Sequence, residues 1–177
     1  VIAIEDQHFY SHPGLNPITA AKFYLTDTFS DRRRRRGGST LTQQLSRMFF
    51  LADEWNAELQ AGTVSYGRKA QEMLMSLALE QRASKDEILE MYLNEVYLGQ
   101  RGSFAIHGVA EASRLFFGKD VSNLSVSEAA LIAGVIQSPA SLSPFARPQR
   151  AIERRNTVLQ AMAGEEYITP EAAERAS

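Results

Sequence analysis

A chain of 177 residues, 44% hydrophobic and 23% charged, is long enough for one globular domain with a real core, or one domain with a smaller lobe. It has no cysteine, which excludes disulfides, thiolate nucleophiles and Cys-based metal sites. The net charge of -2 hides an uneven distribution, because five of the nineteen lysines and arginines form the run Arg32 to Arg36. No apolar run approaches the ~20 residues of a membrane span, and no signal peptide is visible. The chain opens inside an apolar run and stops inside an apparent helix, TPEAAERAS, so it reads as a domain cut from a longer protein.

The first informative stretch is AIEDQHFYSHPG, residues 3 to 14. The apolar run Val1 to Ile4 leads directly into Glu5 and Asp6, which places a carboxylate at the junction of a buried segment and a polar site. His8 and His12 lack HExxH or Cys/His spacing, so a zinc role is not expected of them. Asn16 before Pro17 reads as an N-cap with proline at the first helical position, opening a helix through about Phe29. SDRRRRRGGS, residues 30 to 39, is a charged break whose Gly-Gly turn leads into a helix start, a place suited to an anion such as phosphate.

Further helices follow. Thr40 with Gln43, Ser84 with Glu87, and Ser125 with Glu128 fit capping boxes, and Pro139 is expected to close the last of these segments. Between Gly67 and Ala83 the stripe Met73, Leu74, Leu77, Ala78 predicts the buried face, and Leu89, Tyr92, Leu93, Val96 predict the next. A last long helix is expected from Pro148 to Ala163, carrying Ile152, Val158, Leu159 and Met162. No Val/Ile/Thr alternation lasts long enough to demand a sheet, so the fold class is mainly α.

Two clusters carry chemistry. GGSTLTQQLSR, residues 37 to 47, gathers the Ser39, Thr40 and Thr42 hydroxyls and the Gln43 and Gln44 amides at one helix start. An ordinary N-cap explains much of that, but Arg47 adds a cation one turn on. In RKAQE, residues 68 to 72, Arg68 and Lys69 lie four and three positions before Glu72, so two cations flank one carboxylate on a shared face. A surface ion pair explains one such pair better than two cations and an acid at a helix start. Paired carboxylates suit chemistry at an anomeric carbon and cations suit a phosphate leaving group, so glycosyl transfer from a sugar phosphate would use both.

EDQHFYSHPG, GGSTLTQQL, RKAQE, KDEILEMYLNEVYLG and RRNTVLQAM resemble, in that order, successive motifs of the family 51 peptidoglycan glycosyltransferases, nearly end to end. The resemblance implies a lysozyme-like fold over residues 1 to 177, with a large helical lobe and a smaller, membrane-facing jaw at roughly 23 to 66. It implies a substrate, lipid II, polymerised into β-1,4-linked glycan strands with inversion and release of undecaprenyl pyrophosphate. Glu5 and Glu72 become the catalytic acids, with Glu5 the base that removes the proton of the acceptor's 4-hydroxyl and Glu72 either the acid that protonates the leaving group or a group that positions the cations. Arg68 and Lys69 would join Glu72 around the pyrophosphate, while Asp6, Ser39, Thr40, Gln44, Arg47 and Tyr97 would contact substrate. His12, with Phe9, would brace the segment presenting Glu5, and His8 would be surface.

No cofactor is required by this reading, although Mg or Mn at the pyrophosphate is compatible with it. The expected partners are lipid II, the growing strand and a membrane surface, not nucleic acid, at the outer face of a bacterial cell membrane. LGQRGSFAIHG and SPASLSPFARP look most like the bifunctional class A penicillin-binding proteins. Since no Ser-x-x-Lys or Lys-Thr-Gly occurs here, a transpeptidase domain would lie beyond Ser177. Met48, where the family often has Asn, and the five-arginine run depart from the pattern. The alternative function is a lysozyme-like hydrolase or lytic enzyme, which needs no pyrophosphate-binding cations; a silent membrane-surface module would not need Glu5.

Overall fold

The computed structural model describes residues 1–16, 38–63 and 65–177. In chain order these form α1 (Ile2–Glu5), α2 (Leu41–Phe50), α3 (Ala52–Ala61), α4 (Tyr66–Glu80), α5 (Lys85–Glu95), β1 (Tyr97–Arg101), β2 (Phe104–His107), α6 (Val109–Phe117), a 3-10 turn (Val121–Asn123), α7 (Val126–Val135), α8 (Pro148–Gly164) and α9 (Pro170–Ala176). The chain is mainly α, as its helix signals require. It divides into two compact units, one of Val1–Gln7 with Leu93–Ser177 and one of His8–Tyr92. The expected jaw range, 23 to 66, falls within the second. The helix expected from Pro17 to about Phe29, after its Asn16 cap, and the Arg32 to Arg36 run lie outside the described residues.

The first unit is built on α7, α8 and α9. Ala130, Ala133, Val158, Leu159 and Ala173 are buried together, and Val1, Ile4, Met162 and Ile168 pack against them. Ser125 and Glu128 complete the expected capping box of α7, Pro148 starts α8, and Thr169 caps α9. Val158 and Leu159 are fully buried, while Ile152 of the same expected stripe is 37% exposed. Helix α7 ends at Val135, four residues before Pro139. Because the apolar residues of α1 are held in this core, the backbone that carries Glu5 is fixed by hydrophobic burial.

A hairpin that the sequence reading did not anticipate also belongs to this unit. Strands β1 and β2 pair antiparallel, from Tyr97↔His107 to Arg101↔Phe104, with a bulge between Tyr97 and Gly99. Only Leu98 and Ile106 supply buried apolar side chains, and Gly99 interrupts the first strand, which left no alternation to read. Gly108 follows with φ +76°, and a Cβ there would clash with the Asn94 carbonyl oxygen. Only glycine lets β2 pass so close to the end of α5.

In the second unit, α2 packs on α4, and α3 follows α2 after the single linking residue Leu51. Leu41, Leu45, Ile88, Tyr92 and Phe9 are fully buried, and the Tyr92 hydroxyl donates to Gln44 Oε1 at 3.0 Å. The stripe expected in α5 is present in shifted form: Ile88, Tyr92 and, just beyond the helix, Val96 are buried, with Leu89 and Leu93 half-buried. The stripe expected in α4 is corrected. Its buried residues are Arg68, Glu72 and Ser76, while Leu74 is 67% exposed. Met73, Leu77 and Ala78 of the expected stripe are half-buried, so the helix buries its polar set fully and its apolar stripe only in part.

Candidate active site

Glu5 ends the single turn of α1, half-buried, its N–H donating to the Val1 carbonyl at 3.0 Å. Asp6 is buried at the helix end, with its N–H on the Ile2 carbonyl. The carboxylate therefore sits where a core-anchored segment reaches a polar boundary, as its place after Val1 to Ile4 indicates.

The densest electrostatic arrangement among the described residues lies in the second unit, at the start of α4. Arg68 Nη1 donates to Glu72 Oε2 at 2.6 Å, Lys69 Nζ donates to Glu72 Oε1, and Arg47 Nη1 of α2 is 3.5 Å from Glu72 Oε2. Three cations thus converge on one carboxylate that has no solvent exposure. Lys69 Nζ also donates to Ser39 Oγ at 3.0 Å. Arg68 Nε donates to Glu58 Oε1 at 2.8 Å, and the Trp55 ring lies 4.5 Å from the Arg47 guanidinium carbon and 4.9 Å from that of Arg68.

Burial lowers the Lys69 pKa, helped by Arg47 and Arg68, and Glu72 restores only part of it. Burial also opposes the charge of Arg68, but its bonds to Glu58 and Glu72 outweigh burial and raise its pKa. Arg68 and Lys69 occupy the first turns of α4, where the helix dipole disfavours cations. Local electrostatics would not choose them for stability. What such an arrangement can do is hold an anion, since guanidinium and ammonium groups gathered at one place offer charge-assisted hydrogen bonds to it.

A second, partly buried network pins the loop that follows Glu5 in sequence. Lys85 Nζ donates to Glu80 Oε1 at 2.6 Å and to the His12 carbonyl at 2.7 Å, and lies 4.6 Å from the Phe9 ring centre. Thr42 Oγ1 donates to Glu80 Oε1 at 2.5 Å. The Gly14 N–H donates to His12 Nδ1 at 3.0 Å, and the Thr40 hydroxyl donates to the Gly14 carbonyl at 2.6 Å. At φ +91°, a Gly14 Cβ would stand 2.9 Å from the Ser76 carbonyl oxygen. His12 and Phe9 are therefore structural parts of this turn, and His8 is exposed.

The structure brings together Ser39, Arg47, Arg68, Lys69 and Glu72. Thr40, 2% exposed, spends its hydroxyl on the α2 cap and on Gly14, and Gln44 is held by Tyr92. Tyr97 lies in β1 of the other unit, 40% exposed, its ring 5.3 Å from that of His107. Glu58 and Trp55 escaped the sequence reading. ADEWNAELQA has no motif spacing to Arg68, and only the fold sets α3 beside α4. Among the described residues no three His, Asp or Glu side chains gather as a metal site, and both Glu72 oxygens already accept bonds from cations. A divalent cation at this place would take its ligands mainly from substrate phosphates.

The chain thus carries an acid at its amino-terminal turn and a cation cluster at the start of α4. The transglycosylase family model matches residues 1–163, and the chain belongs to that family. It is 41% identical over 97% of its length to penicillin-binding protein 1B of Haemophilus influenzae and 43% identical over 96% to penicillin-binding protein 1A of Vibrio cholerae. It spans about a fifth of those relatives, 21% and 19% respectively. Against the crystal structure of penicillin-binding protein 1A from Haemophilus influenzae, 56% of this chain aligns with 14% of that one, at 43% identity and a TM-score of 0.48. The resemblance read from the five motifs is thereby confirmed at the level of family and enzyme class.

Proposed function

We propose that this domain polymerises lipid II into β-1,4-linked glycan, with Glu5 as the base and the Arg47, Arg68, Lys69 cluster as the receptor for the donor's pyrophosphate. Glu5 takes the proton of the acceptor's sugar 4-hydroxyl, and that oxygen forms a bond to the donor's anomeric carbon. The bond from that carbon to the pyrophosphate oxygen breaks with inversion, and its electron pair leaves with the pyrophosphate, whose charge the cations offset. Glu72, with both oxygens engaged, acts by orienting Arg68 and Lys69 rather than by giving up a proton. The observation that carries this reading is the convergence of three cations on one fully buried carboxylate in a chain of the transglycosylase family. Hydrolysis of a finished glycan has no use for that charge.

The setting we propose is the outer face of a bacterial membrane, within a longer chain that also carries a transpeptidase domain, and with the lysozyme-like lobe-and-jaw arrangement. No helix among the described residues is long and apolar enough to cross a membrane. Phe49, Phe50 and Leu59 of the second unit are exposed, at 42%, 54% and 60%, which suits contact with a lipid surface; Leu51, by contrast, is buried. The test is a gel assay of labelled lipid II with purified protein in detergent. Polymer, with finished peptidoglycan left intact, is expected; unreacted lipid II with solubilised peptidoglycan would establish the hydrolase instead.

A further inference from the structure

We infer that Glu58 and Trp55 of α3 are positioning residues that aim Arg68 at the donor's departing pyrophosphate, an inference that rests on the function proposed above. An Arg–Glu pair four apart on a helix is ordinarily a loose surface contact of small energy. Arg68 is held far more tightly. Its Nε donates to Glu58, its Nη1 to Glu72, and the Trp55 ring lies 4.9 Å from its guanidinium carbon. Glu58 Oε1 also accepts the Ser65 N–H at 3.0 Å, and Ser65 is the N-cap of α4. One carboxylate thereby fixes both the start of the helix and the plane of the guanidinium.

Two features argue that this serves orientation rather than charge or stability. If the cluster existed to accumulate positive charge for a polyanion, Glu58 would work against it by neutralising Arg68. In addition, Glu58 Oε2 is buried without a hydrogen-bond partner among the described residues, which disfavours the folded state. A carboxylate kept under those conditions is explained by the geometry it imposes. A guanidinium fork held at two nitrogens and covered on one face can present its remaining edge in one direction only.

The test measures kcat and KM for lipid II polymerisation in the full-length protein in detergent, comparing parent, Glu58→Gln, Glu58→Asp, Trp55→Phe, Arg68→Lys and the Glu58→Gln/Arg68→Lys double variant. Misplacement predicts a loss of about 10²-fold in kcat for Glu58→Gln, partial recovery in Glu58→Asp and a smaller loss in Trp55→Phe. With the fork already removed in Arg68→Lys, adding Glu58→Gln should change nothing further. A folded Glu58→Gln enzyme with parent kcat, or losses that multiply in the double variant, would overturn the inference. Should Glu58→Gln not fold, a folded Trp55→Phe enzyme with parent kcat does so instead. If the parent itself makes no polymer, the proposed function fails separately, and calorimetric binding of inorganic pyrophosphate decides the inference. Weaker binding by Glu58→Gln, or by Trp55→Phe if the former does not fold, supports orientation; tighter binding by Glu58→Gln, or parent binding by Trp55→Phe, refutes it.

Discussion

Helices α7 and α4 each turn one face to the interior, and the two faces have opposite chemistry. Helix α7 buries Ala130, Ile132, Ala133 and Val135, whose removal from water stabilises its unit directly. Helix α4 buries Arg68, Glu72 and Ser76. Taking those charges out of water costs several kcal/mol per ion before their mutual attraction is counted, and an apolar set of the same volume would often be as stable. On the function proposed above, the contrast separates residues that hold the protein up from residues held in place for a task. Glu5 belongs to both descriptions, being a polar group carried on the apolar core of α7 and α8.

The comparison breaks or sharpens in four places. The largest effect is expected at Glu5. Glu5→Gln keeps the shape and loses the base, so turnover in the polymer assay should fall by roughly 10²- to 10⁴-fold. The variant should remain folded, since Val1 and Ile4 anchor α1 in the apolar core. A variant that polymerises at near the parent rate would remove Glu5 from the mechanism.

Glu72→Gln should act on both properties. It leaves three cations facing a neutral group with no solvent exposure, and removing one partner of a buried ion pair costs about 3–5 kcal/mol. Urea unfolding should show that loss together with reduced turnover. Unchanged stability would mean that the cluster is hydrated and that α4 does not differ from an ordinary surface helix.

A smaller effect is expected at the exposed aromatic pair of α2, whose rings lie 6.1 Å apart. Replacing Phe49 and Phe50 by Ser should weaken binding to anionic liposomes by roughly tenfold while leaving the fold intact. Undiminished binding would place lipid contact elsewhere.

The smallest is a pH effect in the apolar unit. The Lys119 ammonium, followed by the Ser125 cap, lowers the Glu128 pKa from 4.5 to about 2. A carboxylate depressed on folding stabilises the native state above its unfolded value, and that contribution is lost as pH falls from about 4.5 through about 2. Thermal melts should decline over that window, and Glu128→Gln should flatten the decline there. An unchanged slope would show that the Lys119 contact is not kept in solution.

The caps of α2, α5 and α7 were legible in the sequence because each is a local pair three residues apart, and α8 because proline opens it. The buried face of α4 was not. An apolar stripe is the usual guide to burial, and here Met73, Leu77 and Ala78 are only half-buried and Leu74 is exposed, while the fully buried positions are polar. The hairpin at Tyr97–His107 was missed because its strands hold too few apolar residues to alternate. At the site, Arg68, Lys69 and Glu72 could be grouped by helical spacing and Arg47 by its motif. Glu58, Trp55 and the Lys85–Glu80 pair depend on which helices meet, and no spacing along the chain encodes that.

The central claim is that acid and cations divide the work, Glu5 moving a proton and the cluster holding pyrophosphate. Calorimetric titration of a non-reacting, pyrophosphate-linked saccharide analogue into Glu5→Gln and Arg47→Gln proteins tests it most directly. The account predicts affinity near the parent's for Glu5→Gln and affinity about tenfold or more weaker for Arg47→Gln, the loss of one charge-assisted contact. Equal losses in the two variants, or parent affinity in Arg47→Gln, would contradict it.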